Sequence, residues 1–572
     1  MSRRAVWLPA LAIAASALFS AADAQELRGT IHDSTTRQPI SGAVVSVLDA
    51  GGRSIARGIT NDRGQFRVAT QAGGREVSIK RIGFHPRVIV MPTDIAASVD
   101  IFMTPLASLL ESIQVNDVTK CSKRSDRAAA LALWEQVRTG LLATVVAGET
   151  NPARVRRLVF DRTLGPDDTP RSQSVRIDSA QTDRPFGAAL TVADFLAKGF
   201  TSDSAGAEVF YGPDAEILLS DGFAAGYCFR LADHNAERPA QVGLAFSPAE
   251  RRRDRIDIEG TLWVDSVARR LVDIDYNYLG LDSRIMALHP GGRTSFRTMK
   301  NGFVMLDRWM IRLVGSLEPL PATSRAQSVE RCPRGSVCMG APRAAPKLQV
   351  HEIGGEIAYA AWPDGTEWSS PLGTLRARAT RDGQPAPGVT VHLDNTDYAA
   401  TTDATGAFEI DELLPGPYTV ATEEERLARV GLFLPSGVSF TAMRDSTEIL
   451  NVPVQSLEDY TWRACGNDEK RPRQGRVMRM LIVRAFEAGN QPVIGAKAVA
   501  QFLIGGSEVS KSEVETGSSG TFQICRFPES ASDVAIFVDR EGMPPFKHVE
   551  RLSGVLTTTT LTLPTSRAPN DR

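Results

Sequence analysis

The sequence predicts a mainly β chain, in which two to three β-sandwich modules flank a central α+β domain with a curved antiparallel sheet and one helix. Three observations lead there. Short stretches of alternating polar and apolar residues recur between Gly, Pro and Asp turns, the pattern of half-buried strands. A Pro-x-x-Gly step followed by a Gly-x-Phe step occurs three times in the same order. One clear stretch, 124–147, carries Ala, Leu and Trp at helical spacing.

The first 24 residues read as an export signal. Arg3 and Arg4 are followed by an apolar run from Val6 to about Phe19 and by Ala22-Asp23-Ala24, so cleavage is expected between Ala24 and Gln25. The run is too short and too Ala-rich for a membrane span, and no later stretch of about 18 apolar residues follows. The mature chain is therefore expected without a transmembrane span, in the periplasm, at the outer membrane or secreted. A total of 572 residues is enough for roughly three to five domains. Lys+Arg 65 against Asp+Glu 67 leaves a net charge of −2, without the basic excess of a nucleic-acid binder.

Residues 25–105 hold the first module. Strand-like Gly29-Thr30-Ile31 leads to Pro39 and Gly42, then Val44 to Leu48, then Thr60-Asn61-Asp62-Arg63-Gly64 and Phe66. The second, 372–455, repeats the order with Pro385 and Gly388, Thr402-Asp403-Ala404-Thr405-Gly406 and Phe408, and Pro415-Gly416-Pro417-Tyr418. The third, 476–563, has Pro492 and Gly495, then Thr516 through Gly520 and Phe522. The Gly-x-Phe step follows from alternation, because a strand leaving a turn glycine buries its second residue.

This order of motifs resembles the carboxypeptidase regulatory-like family, strongly over 26–105 and about 372–455 and weakly over 476–563. The resemblance implies a transthyretin-like sandwich related to starch-binding-like folds, and so a scaffolding or binding module of an exported bacterial protein. It lends no catalytic residues.

Residues 106–317 read as the central domain, with Ser125 or Asp126 as helix cap and strands at 260–265, 271–276 and 309–313. Phe246-Ser247-Pro248, Gly260-Thr261-Leu262-Trp263 and Tyr276-Asn277-Tyr278 are similar to an uncharacterised domain found beside regulatory-like modules. Residues 318–371, with five prolines by 347, read as linker and connecting strands. Six cysteines, Cys121, Cys228, Cys332, Cys338, Cys465 and Cys525, permit 15 pairings, of which Cys332 with Cys338 across a short loop is the easiest.

No catalytic, cofactor-binding or metal residues are assigned, and no cofactor is expected. His234 and Glu237 in H-x-x-E spacing, with His351 further on, match the ligand types of a zinc peptidase. They sit in a polar loop without βαβ context, so a solvated loop is the expectation. Arg251 to Arg255 read as the solvated end of a strand. Trp263, Tyr276, Tyr278, Phe296, Phe303 and Trp309 read as core rather than a ligand groove. Asp62 and Asp403 are expected to bond their own turns rather than calcium. The resulting expectation is a non-catalytic envelope protein that binds or scaffolds through its β-sandwich modules, its partner a glycan, as the resemblance to starch-binding-like folds implies, or another envelope protein. The alternative is an envelope enzyme with its site in 120–320.

Overall fold

In the computed structural model, residues 26–564 are described except 71–72, 93–97, 109–126, 182–189, 205–206, 253–254, 317–347, 467–477, 488–490, 526 and 541–544. Three β-sandwiches share one topology. In the first, strand Glu26–Asp33 pairs antiparallel with Gln65–Ala69 and parallel with Val99–Met103, and a four-stranded sheet faces it. In the second, Gly373–Arg381 pairs the same way with Ala407–Leu413 and Thr447–Pro453. In the third, Met480–Glu487 does so with Thr521–Cys525 and Leu556–Leu563. The mainly β fold class holds.

The recurring residues explain the recurrence. Gly64, Gly406 and Gly520 have φ of 70°, 75° and 71°, and each carbonyl accepts from the first strand's Ile31, Ala379 or Ala485 N–H. A Cβ on any of them would lie 2.4–2.6 Å from a carbonyl oxygen of that strand. Only glycine combines that φ with that approach. Two residues on, Phe66, Phe408 and Phe522 are 3%, 7% and 5% exposed and belong to the sandwich cores. Buried Thr60, Thr402 and Thr516 accept at Oγ1 from the N–H of Ala43, Val389 and Ala496, and their carbonyls accept from Gly42, Gly388 and Gly495. Thus the Pro-x-x-Gly turn and the Thr-to-Gly turn lock one corner in every copy.

The central domain is a ten-stranded sheet, antiparallel throughout. Its order runs Tyr227–Leu231, Gln241–Pro248, Asp257–Asp265, Arg270–Leu279, Gly291–Thr298, Val304–Ser316, Leu348–Ala361, Arg154–Leu164, Pro170–Gln181, and Glu367–Ser369 pairs with the end of Leu348–Ala361. Leu348–Ala361 falls in the stretch read from sequence as linker and connecting strands. It is an interior strand with ladders on both sides. Its charged and glycine residues hide the alternation that would announce it.

Helix Arg127–Thr150 lies on one face of this sheet; the expected cap residues Ser125 and Asp126 are outside the described residues. Leu133, Trp134, Val137 and Leu141 pack into the sheet's core, with Trp134 stacked on Phe229 at 4.2 Å. Ala143, Val146 and Ala147 reach Val44 and Ile59 of the first sandwich. Gly140 lets the sandwich close on the helix, because a Cβ there would stand 2.8 Å from Ile82. Buried Gln136 accepts from the Gly83 N–H at 2.8 Å, and Arg81 donates to the carbonyls of Ser41 and Arg269. Burial, with the Arg269 charge, pushes the Arg81 guanidinium down to about 10.

Candidate functional site

The site follows from two glycines. Gly354 and Gly355 are consecutive on the interior strand Leu348–Ala361, so they lie on opposite faces of the sheet. Gly355 is directly opposite Trp309, and a Cβ on it would sit 2.6 Å from the indole nitrogen. Gly354 is opposite Phe160, and a Cβ on it would sit 2.4 Å from that ring. Each glycine therefore makes room for an aromatic ring across the strand, one ring per face.

On the helix face this creates a cavity of about 560 Å3. Tyr276, Trp309, Ile311 and Ile353 line it from the sheet, and Phe210 and Tyr211 from a segment laid over the sheet. That segment is fixed by the Tyr278 hydroxyl, which donates to the Tyr211 carbonyl at 2.9 Å, and by Phe210 set edge-on to Tyr278. Ser202 Oγ lies 2.9 Å from the Tyr211 hydroxyl. Burial raises the Tyr276 and Tyr278 hydroxyls above their ordinary value, so both stay neutral hydrogen-bonding groups.

Charged groups also line the cavity. Arg157 pairs with Asp178, Asp214 caps a short helix through the Ile217 N–H at 2.8 Å, and Asp397 accepts from the Ile177 N–H at 2.8 Å. Arg176 is exposed and makes no ion pair among the described residues. Asp397 belongs to the second sandwich, whose loop adds to the sheet edge through Val175 N to Asn395 O and Asp397 N to Val175 O. Two domains thus enclose the cavity. Asp178, Asp214 and Asp397 are committed to these structural bonds, so what the cavity presents is mainly aromatic surface bordered by polar groups.

The residues singled out from sequence fall elsewhere, with some exceptions. Ala24, Gln25, Cys332 and Cys338 lie outside the described residues. His234 and Glu237 are exposed, and His351 is on a strand six positions away in the sheet order from the one preceding them. Among the described residues no group of three or more His, Cys, Asp or Glu is placed to hold a metal. Arg255 is not a solvated strand end: it pairs with Asp257 at 2.7 Å, each side chain 8% exposed. Asp403 accepts from Thr405 N and Ala407 N, as expected, but the matching residue in the first sandwich is Asn61, not Asp62. Trp263, Tyr276, Tyr278 and Phe303 are buried, yet Tyr276 and Trp309 also line the cavity. Cys465 is bonded to Cys525, and Cys228 is also in a disulfide. The Gly354-Gly355 step inside a strand pattern was the available signal that sequence reasoning passed over.

A family model of the carboxypeptidase regulatory-like domain matches residues 26–104. That segment is a carboxypeptidase regulatory-like domain. The two later sandwiches repeat the topology of this regulatory-like domain strand for strand. No curated protein matches the sequence. Solved structures similar in part include the Bacillus anthracis TIE protein, 11% identical over 65% of this chain and 66% of that one, with a TM-score of 0.13. Another is a leucine-rich repeat protein from Bacteroides thetaiotaomicron VPI-5482, 10% identical over 34% of this chain and 26% of that one, TM-score 0.16. A third is the shaft pilin SpaA of Lactobacillus rhamnosus GG, 10% identical over 35% of this chain and all of that one, TM-score 0.14. This chain spans just under two thirds of the first and about a quarter of the second. Overlap at these scores carries no argument about role. Among the described residues no helix is long and apolar enough to cross a membrane.

Proposed function

We propose that this chain is a non-catalytic binding protein of the cell envelope, in which the sandwiches brace a central sheet that holds a carbohydrate. The observation that carries the reading is the aromatic cavity of about 560 Å3 enclosed by the sheet and the second sandwich. Tyr211, Tyr276 and Trp309 supply flat apolar surface for sugar rings, and the polar groups around them supply hydrogen bonds. Placement in the envelope rests on the leader ending at Ala24. The test is a glycan array with the mature chain, followed by calorimetry on each hit. Trp309→Ala is expected to weaken binding at least tenfold while far-UV dichroism stays unchanged. An array with no hits, or hits indifferent to Trp309→Ala, would reject a carbohydrate in this cavity. The enzyme alternative draws on the same cavity through Arg157, Asp178 and Asp214, and it predicts that a bound glycan is chemically altered on prolonged incubation.

A further inference from the structure

On the opposite face of the same strands, a second crevice of about 330 Å3 opens between the central sheet and the second sandwich. Phe160, the ring admitted by Gly354, lies beside Met310 on its apolar side, and Pro415 of the sandwich forms another wall. Four guanidinium groups, Arg162, Arg293, Arg308 and Arg444, stand around it with two carboxylates, Glu352 and Glu356.

The balance of these charges is positive. Four cations against two anions leave +2, and counting Asp275, the partner of Arg293, leaves +1. Glu356 is fully engaged: both Arg444 Nη atoms donate to it at 2.7 and 2.6 Å, and Ser370 Oγ donates at 2.7 Å. Arg308 Nε lies 3.0 Å from Glu356 Oε2 but is not aligned with it, and this buried nitrogen has no hydrogen-bond acceptor. Arg162 stacks over Phe160 at 4.1 Å and spends Nε on Gln173 and Nη2 on the Pro415 carbonyl, which leaves Nη1 without a bond among the described residues. Like charges held together in a partly desolvated crevice repel, and an anion bridging them relieves that repulsion through charge-assisted bonds. Arginine suits this better than lysine, because its planar fork matches carboxylate and phosphate oxygens.

We propose that this crevice binds a compact oxyanion, a carboxylate or phosphate borne on a small carbon skeleton. The guanidinium groups take the anion and the Phe160–Met310 side takes the skeleton. The volume matches one ring-sized ligand. This site opens on the opposite face of the sheet from the aromatic cavity, and the two linings meet at Glu356.

Calorimetry of the mature chain at neutral pH and low salt tests the proposal, with glucuronate, glucose 6-phosphate and glucose as probes. Saturable binding of either anion, at least tenfold tighter than glucose, is expected, and which anion binds reads the carboxylate or phosphate preference. Arg293→Gln with Arg308→Gln is expected to weaken it at least tenfold. If the double variant does not fold, Arg293→Gln alone carries the test with an expected threefold loss, because its side chain is 49% exposed and bonds no backbone. Arg376→Gln, which removes the same charge from an exposed face of the second sandwich, is expected to change nothing. Binding of neither anion, binding that survives the Arg293 substitution, or glucose binding as tightly would overturn the proposal.

Discussion

Replacing Glu356 by glutamine tests what holds the second sandwich to the central sheet. The Glu356 side chain is 1% exposed and joins Arg308 of its own sheet to Arg444 of the sandwich. Burial opposes its ionisation, but the Arg444 hydrogen bonds, the Arg308 and Arg444 charges and Ser370 outweigh that, and the carboxyl is held below its ordinary 4.5. Removing one partner of a buried ion pair costs about 3–5 kcal/mol when the other charge stays buried. Here Arg444 and Arg308 keep 32% and 40% of their side chains in water and regain some hydration, so about 2–3 kcal/mol is expected. That raises the undocked population roughly 30- to 140-fold. Hydrogen exchange should accelerate along Leu348–Ala361 and Thr447–Pro453, while Glu26–Asp33 stays protected. Glu356→Gln with Arg444→Gln should cost less than the sum of the two single changes. The depressed pKa also sets a pH window. The stabilisation is fully present above about 4.5 and is lost as pH falls through the folded pKa, so wild-type docking should weaken in that range and Glu356→Gln should not follow it. A Glu356→Gln protein within about 0.5 kcal/mol of wild type would refute the clamp.

Phe66→Ala, Phe408→Ala and Phe522→Ala should each destabilise their own sandwich by about 3–5 kcal/mol, read as protease sensitivity confined to that module. Gly406→Ala should cost about 2 kcal/mol or more, because it adds left-handed strain to a Cβ lying 2.6 Å from the Ala379 carbonyl oxygen, and thermal unfolding will show it. Cys465→Ser opens a loop closed over a sequence separation of 60, worth about 4 kcal/mol on the chain-entropy account, and it should loosen the third sandwich in denaturant titration.

The sandwiches were legible in the sequence because each of their signature residues answers a local demand. A glycine at φ near 70° under a carbonyl, a buried phenylalanine two residues on, and a threonine bonded back to its own corner leave the same spacing wherever the fold occurs. The central sheet was legible only in part. Trp263, Tyr276 and Trp309 announce strands, but the pairing of Leu348–Ala361 with Arg154–Leu164 joins residues nearly 200 apart, which no local pattern encodes. Beyond the Gly354-Gly355 step, neither cavity was legible. Arg162, Glu356 and Arg444 look like ordinary solvated charges one at a time, and they meet only when the sandwich docks.

The composition of the sheet's second face decides where that docking stops. At Leu158, Phe160, Val175 and Ala358 the face is apolar and shares one core with the sandwich. Further across, at Asp273, Asp275 and Arg293, it carries an ion network, with Arg238 over the Trp263 ring at 4.8 Å and the Trp263 Nε1–H donating to Asp275. A sandwich extending over that network would have to desolvate it, at a cost of several kcal/mol for each ion left poorly paired. The apolar cover therefore ends where the charges begin, and Arg308, Glu356 and Arg444 mark the boundary. A crevice at such a boundary has one apolar side and one charged side by construction. Moving the boundary would move the crevice: making Asp273 and Arg293 apolar should extend the docked area and take one guanidinium group out of the crevice, while Arg308 and Arg444 stay together on Glu356.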